Sequence, residues 1–320
     1  MKLSVITPVY NRADCIGRCI ESVSRNIARH PDVEVEHIIV DDGSSDNTPA
    51  IVEDCARRLP HLRFVRSDSN RGPNVARNAA VNVSTGQWCV ILDSDDFFVD
   101  DATKIIADTI DAAPGYGHYM FAPDDMEGYY RSNPLLNGRS AIVDFEDFLT
   151  GRVTGDFVHV IATETMRALP FDERLRIHEG VFFLRFYRKA GRVLFTNTRV
   201  TIRERSRGDS VTREMLRTSI PQISRHAIYQ ELYIKFFEED MISHGLTAQL
   251  RHFRRRLLEN YVLMGRYADA RGVIDDLGGL VGKKERLLGL IVRMHAGNLY
   301  RIMLKWYLIA KYDLLRRPVN

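Results

Sequence analysis

Residues 89–101, CVILDSDDFFVDD, run from an apolar stretch fit for the middle of a sheet into three carboxylates, Asp93, Asp95 and Asp96, within four positions. Crowded carboxylates repel one another and are costly to desolvate, so such a cluster is either well solvated or waits for a cation. If the run is a strand end, alternation points Asp93 and Asp95 to the same side. Two oxygen donors on one side suit a hard dication, Mg2+ or Mn2+, which often takes one or two carboxylates plus substrate phosphates. The competing reading is a solvated turn in which Asp95, Asp96 or Asp100 caps a following helix.

The neighbouring pattern favours a strand. LSVITPVY (3–10) reads as a buried strand, and Ile16, Cys19 or Ile20, Val23 and Ile27 then recur at helical spacing. VEVEHIIVDD (33–42) is a second strand, followed by a helix with Thr48 as N-cap and Pro49 at its first position. LRFVRS (62–67) is a third strand, GPNVARNAAVNV (72–83) a third helix entered through Pro73, and QWCVILDSD (87–95) a fourth strand. Short links between alternating strands and helices predict a parallel sheet with right-handed crossovers. Ligands of such sheets sit beyond the carboxyl ends of the strands. Those ends are Thr7-Pro8-Val9-Tyr10, Asp41-Asp42-Gly43 and Asp93-Ser94-Asp95, so the three most unusual loops face one crevice.

Residues 116–150 are irregular and aromatic, which suits a loop-rich insertion or a substrate-facing lid. HEGVFFLRFYRKAG (178–191) reads as a helix stopped by Gly191, and residues 192–205 return to strand. The rest is helical, near 216–239, 246–264, 267–277, 283–296 and 298–316.

A chain of 320 residues with 45% hydrophobic and 27% charged residues is globular rather than disordered. The first residues show no basic stretch followed by a long apolar segment and cleavage site, so a cytoplasmic protein is expected. Cys15, Cys19, Cys55 and Cys89 lack CxxC pairing and read as buried thiols, neither a zinc site nor a disulfide framework. The net charge of +3 is unevenly spread: residues 251–320 hold 15 Lys/Arg against 6 Asp/Glu, a net of +9, leaving residues 1–250 at −6. No G-x-G-x-x-G follows the first strand, and GGLVGKKE near 278–285 fails the P-loop spacing. A phosphate would therefore need another device, and a metal ion is the obvious one.

Assembled, these pieces resemble the family 2 glycosyltransferases, inverting enzymes of the GT-A fold. The resemblance covers roughly residues 1–215 and rests on SVITPVYNR, IIVDDGSSDNT, NRGPNVARNAAVNVSTGQW and VILDSDD in that order. It implies an α/β GT-A domain, Rossmann-like with a mostly parallel sheet, over 1–212, which leaves the helical, basic region read from the pattern over 213–320. It also implies that Tyr10 and Asp41 or Asp42 hold the nucleobase, that Arg77 lies near the nucleotide, and that Asp93 and Asp95 meet the ribose, metal and diphosphate. Thr7, Pro8, Asn70 and Ser94 lie in the same motifs and are assigned to the nucleotide. The family's base lies in a Glu-Asp pair opening a helix that ends in Arg and Gly. Here the pair is altered: His178 precedes Glu179 and Gly180 follows, so Glu179 is the only carboxylate for the base position. The late segment IRERSRGDSVT also lacks the His that often approaches the metal in this family.

The implied activity is transfer of a sugar from a nucleotide-sugar, with UDP the family's frequent carrier, to a glycan or lipid-linked acceptor in polysaccharide or glycoconjugate assembly. The rival readings are a catalytically degenerate, membrane-associated scaffold and a sugar nucleotidyltransferase; the latter lacks its Gly-rich loop after the first strand. No nucleic-acid partner is expected. The final helix is interrupted by Arg301, Lys305, Lys311 and Asp313, which disfavours spanning a bilayer. It suits either a bundle packed within the protein or a peripheral position on the anionic inner face of the cytoplasmic membrane, with Trp306 at the boundary.

Overall fold

The computed structural model describes residues 1–176, 178–204, 219–278 and 282–308. These fall into two compact units divided near residue 207. The boundary expected between 212 and 213 lies outside the described residues.

The first unit is built on a nine-stranded sheet. Strand β1 (Lys2–Val9) is buried from Leu3 onward, which is why it reads as a continuous apolar run and not as an alternation. It is followed by α1 (Ile16–Arg29), β2 (Glu34–Asp41), α2 (Thr48–Arg58), β3 (Leu62–Arg66), α3 (Pro73–Val83) and β4 (Trp88–Ile91), the expected alternation. Strands β2 and β4 flank β1, β3 flanks β2, and all three pairings are parallel. Ile16, Cys19, Ile20 and Val23 of α1 pack with Leu3 and Val5. Ala76, Ala80 and Val81 of α3 pack with Ile6, Ile38 and Val40. Odd and even positions of β1 thus feed different cores, so both faces of the sheet are covered.

Two local expectations shift. Thr48 is the first residue of α2 and not its cap; Asp46 accepts its N–H at 2.9 Å, and its hydroxyl accepts the Arg12 N–H at 2.8 Å. Strand β4 stops at Ile91, four residues short of the expected end, and a turn closes there with the Asp96 N–H donating to the Asp93 carbonyl at 3.0 Å. Strand alternation therefore does not set the directions of Asp93 and Asp95.

The chain continues through β5 (Phe97–Phe98), α4 (Ala102–Ala112), β6 (His118–Pro123), α5 (Glu127–Ser132), β7 (Ser140–Asp144), α6 (Phe145–Leu149), β8 (Val158–Ala162), α7 (Thr163–Ala168), α8 (Gly180–Ala190) and β9 (Arg192–Ile202). The sheet order is β3-β2-β1-β4-β8-β6-β9-β5, with β7 on β9. Strand β8 runs antiparallel to both β4 and β6, whereas β6 and β9 are parallel. The architecture is thus a mixed α/β sheet whose N-terminal half is wholly parallel.

Residues 116–150 are not a lid: they supply β6, buried along its whole length, and the edge strand β7. The polar-looking histidines of β6 and β8 lie inside. His118 Nε2 and His159 Nδ1 meet at 3.0 Å, His118 stacks on Tyr187, and His159 stacks on Phe183. Cys15, Cys19 and Cys89 are buried free thiols as expected, whereas Cys55 is half-buried.

The second unit has five helices among the described residues, α9 (Ile220–Ser243), α10 (Thr247–Met264), α11 (Tyr267–Asp276), α12 (Lys283–Arg293) and α13 (Gly297–Leu308). Helix α9 runs four residues beyond its expected end, and α12 stops three short of its own. Leu258, Val262, Ala270, Leu288 and Val292 form its core. Gly297 opens α13 where a Cβ would fall 2.0 Å from the Val262 carbonyl oxygen, so only glycine allows the approach to α10. No described helix is long and apolar enough to cross a membrane.

Candidate active site at the carboxyl ends of the strands

Two loops beyond β1 and β2 are stitched together by side chains of the first onto the second. Asn11, held at φ 50°, accepts the Ser45 N–H through Oδ1 at 2.9 Å and donates its own N–H to Ser44 Oγ at 2.8 Å. Left-handed backbone at a non-glycine residue is tolerated best by Asn, whose short amide bonds locally. The Ala13 N–H adds a bond to Asp46 at 3.1 Å. Tyr10 then stands at the tip of β1 with 41% of its surface exposed, an open aromatic face.

The acidic pair after β2 is buried and committed to backbone. Asp41 accepts the Ser44 N–H through both oxygens at 3.2 Å and faces Arg66 at 3.6 Å. Asp42 accepts the N–H groups of Arg71 and Gly72 at 2.8 and 2.6 Å, fixing the loop that leads into α3. Gly43 is held at φ 73°, and a Cβ there would meet the Ser69–Asn70 backbone at 2.7–2.9 Å. Thr7 is also buried, its hydroxyl 3.0 Å from His37 Nε2. Pro8 lies inside β1. Asn70 Oδ1 is buried and finds no hydrogen-bond partner among the described residues.

Helix α3 turns a polar face to the segment that precedes α8. Asn74 donates to the carbonyls of Asp172 and Leu175 at 3.1 and 2.8 Å, and Asn78 exchanges two bonds of 3.0 Å with the backbone of Phe171. Arg77 lies between them, as spacing of three and four residues on one helix face requires. Its guanidinium is buried and donates to Glu179 at 2.9 Å, to Asn74 Oδ1 at 3.2 Å and to Asp93 at 3.3 Å. Burial works against its charge, but the carboxylates of Glu179 and Asp93 outweigh that and strengthen its hold on the proton.

Glu179 occupies the N-cap position before α8, yet its side chain makes no capping bond to the helix. It reaches Arg77 instead and stays one-third exposed. His178 before it sits at φ 76°. A non-glycine residue in that region costs about 1–3 kcal/mol, and such strain clusters at functional sites.

The turn after β4 holds the remaining carboxylates. Asp93 is more than half exposed. Asp95 lies 3.8 Å from Arg12. Ser94 is buried, its carbonyl facing the Cys15 thiol. Asp96 accepts the Glu204 N–H at 3.2 Å, and Glu204 pairs with Arg18 at 2.9 Å. Burial pushes the Asp96 carboxyl up to about 7, and the charges of Asp93 and Asp95 add to the rise. Desolvation is the larger cause of that rise, and the like charges of Asp93 and Asp95 are the smaller one.

An all-oxygen donor set under mutual repulsion fits a hard dication such as Mg2+ or Mn2+, and the exposure of Asp93 leaves room for ligand oxygens. Among the described residues no three His, Cys, Asp or Glu side chains gather into a group that could hold a metal ion. Reasoning from sequence alone had not reached Arg12, Asn74 or Asn78 as parts of this site, and it had named Asp96 only as a member of the carboxylate cluster or a helix cap. The signal for the asparagines was present in the N-x-x-R-N spacing of α3.

The buried ionisable groups give the metal-free protein a defined pH response. Burial pushes His37 and His118 down to about 3. It also carries His159 well below its ordinary value, helped by the charges of His118, Arg203 and Arg77. Unfolded histidines titrate near about 6.5. As pH falls below that, the unfolded chain takes up about three protons that the folded chain refuses, while folded Asp96 keeps one that its unfolded form releases. The net of about two protons should cost about 3 kcal/mol per pH unit between roughly pH 6 and 4.5. Stability is therefore held above about pH 6.5 and lost on acidification. Urea midpoints in the presence of EDTA test this, and a flat profile across the window contradicts it.

Residues 4–163 match the family model described as Glycosyl transferase family 2. The succinoglycan biosynthesis protein ExoO of Rhizobium meliloti is 40% identical over 111 residues, 35% of this chain and 30% of that protein. A GalNAc(5)-diNAcBac-PP-undecaprenol beta-1,3-glucosyltransferase of Campylobacter jejuni is 26% identical over 193 residues, 59% of this chain and 60% of that one. The chain spans about a third of the length of the first curated relatives it matches. Among solved structures, Staphylococcus aureus TarS 1–349 in complex with UDP-GlcNAc superposes with a TM-score of 0.58 at 20% identity, covering 96% of this chain and 91% of that one. A mannosyltransferase of Pyrobaculum calidifontis in complex with GDP-Man and Mn2+ gives 0.57 at 18% identity, covering 99% and 88%. At these identities the likeness establishes the fold, which is of the GT-A type.

Proposed function

The chain belongs to glycosyl transferase family 2, and we propose that it is an inverting glycosyltransferase that moves a sugar from a UDP-sugar to an acceptor hydroxyl in bacterial-type polysaccharide or glycoconjugate assembly. One observation carries the reading: a single buried guanidinium, that of Arg77, holds Glu179 at 2.9 Å and Asp93 at 3.3 Å. The only carboxylate at the family's base position and the carboxylate turn are thereby brought to one place. The carrier is proposed from the UDP-GlcNAc complex of TarS. A glycan or lipid-linked acceptor is proposed from the undecaprenol-linked substrate in the Campylobacter enzyme's name. With such an acceptor goes the proposal that the protein works in the cytoplasm, at the inner face of the membrane.

In this mechanism Glu179 takes the proton of the acceptor hydroxyl as that oxygen attacks the anomeric carbon, and the sugar leaves the diphosphate with inverted configuration. Arg77 sets the position of that carboxylate, and Asn74 and Asn78 hold the strand of chain leading to it. Tyr10 offers its exposed face to the base, and Asn70 Oδ1 offers an unfilled acceptor. Thr7, Asp41 and Asp42 act on the nucleotide by shaping the loops, since their side-chain polar groups are already engaged within the fold, and Pro8 and Ser94 stand beside them near the same strand ends. Asp93 and Asp95 would hold Mn2+ or Mg2+, which supplies Lewis-acid neutralisation of the diphosphate.

Thermal shift against UDP, GDP, CMP and dTDP, each with and without Mn2+, tests the reading. UDP with Mn2+ should raise Tm by about 5–10 °C at a hundredfold excess over Kd. The other nucleotides, and UDP without metal, should leave it unchanged. No shift with any nucleotide would point to the degenerate scaffold instead.

A further inference from the structure

We propose that α12 and α13 form a docking surface for an anionic lipid bilayer. Docking is independent of the sugar-transfer reaction and can fail or hold without it. On α12, Leu287, Leu290 and Met294 are about half to two-thirds exposed, while Leu288, Ile291 and Val292 enter the core of the helical unit. On α13, Leu299, Ile302 and Trp306 are 60%, 53% and 67% exposed. Both stripes have the same spacing, i, i+3 and i+7, which lines one helix face. A soluble surface scatters large apolar side chains singly; two ordered stripes, the second ending in a tryptophan, mark a surface built to be covered.

The charges around the stripes select the occupant. Residues 282–308 contain six Lys/Arg and one acidic residue, Glu285. That carboxylate is buried and bound to Arg251 at 2.9 Å, so it does not offset the others at the surface. Arg286 and Arg293 stand one residue before Leu287 and Met294, and Lys305 one residue before Trp306, so each stripe is bordered by cations. A second copy of the chain would bring like charge to like charge and is disfavoured. An interface of acyl chains beneath anionic head groups answers both features, the apolar stripe entering to the boundary and the cations remaining at the phosphates. Since no described helix can cross a bilayer, the helices lie on it.

Full-length protein should co-sediment with vesicles of phosphatidylcholine containing phosphatidylglycerol. Binding to phosphatidylcholine alone should be at least about tenfold weaker, as should binding to the anionic vesicles at high salt. The chain has two tryptophans, Trp88 inside β4 and exposed Trp306, so the emission of Trp306 should shift to the blue on binding. Trp306→Phe should abolish the shift while binding persists. The double variant Arg293→Ala, Lys305→Ala should weaken binding about thirtyfold. Leu290→Gln with Ile302→Gln should lose it on both vesicle types. All these positions are exposed, and unchanged circular dichroism confirms that each variant folds. Absence of binding at low salt overturns the proposal. So does equal binding to neutral and anionic vesicles. Dimerisation in sedimentation velocity that Leu290→Gln with Ile302→Gln abolishes would also overturn it, by showing that a second copy covers the stripes.

Discussion

Glu179→Gln should lower kcat for sugar transfer by about 10^2- to 10^4-fold, the usual worth of a positioned general base, with the Kd for nucleotide unchanged. The amide oxygen can still accept the Arg77 bond that Glu179 accepts at 2.9 Å, so the opening of α8 keeps its place. What the amide cannot do is take a proton. Glu179→Asp keeps the chemistry but withdraws the carboxylate by one methylene, and should fall between the wild type and Glu179→Gln. Single-turnover measurements separate the chemical step from release of the product. Full activity in Glu179→Gln would remove Glu179 from the mechanism. A matching loss of nucleotide binding would instead assign it a role in shaping the donor site through Arg77.

The first half of the sheet was legible because its residues obey one rule at a time. Strands β1, β2 and β4 are covered on both faces, so their apolar runs stand out between helices with ordinary start signals such as Pro49 and Pro73. In the second half β9 was legible over 192–205, but β6 and β8 were hidden by His118 and His159, which are polar in any sequence scale yet pair with each other and stack on Tyr187 and Phe183 inside the protein. Only tertiary contacts make such strands possible, and a short window of sequence does not contain them.

The site was legible by composition more than by geometry. Asp41 and Asp42 stand out as a pair before Gly43, but nothing local shows that Asp42 spends both oxygens on the backbone of residues 71 and 72. Glu179 and Arg77 are 102 residues apart, so their pairing is invisible until the segment held by Asn74 and Asn78 is in place. The alternation argument for Asp93 and Asp95 rests on a step that does not hold, because the chain leaves the sheet at Ile91.

Asp95→Asn decides between the two readings that the carboxylate turn has carried from the start. If the turn is only a solvated cap, the substitution should change neither activity nor metal response. If Asp95 helps hold a dication, transfer should fall about a thousandfold, the equivalent of several kcal/mol of charge stabilisation lost at the diphosphate. The Mn2+ dependence of the UDP thermal shift should vanish with it. A second readout needs no turnover. In the metal-free protein burial and the charges of Asp93 and Asp95 together hold the Asp96 carboxyl at about 7. Removing one of those charges should let Asp96 titrate lower, visible in its carboxyl carbon resonance, while Asp93→Asn should do the same from the other side. In wild type, Mn2+ bound here would act in the same direction by supplying the missing positive charge, and diamagnetic Mg2+ makes that shift observable. An Asp96 titration indifferent to Mg2+ and to both substitutions would mean that burial alone raises it, and that the turn after β4 is no cation site.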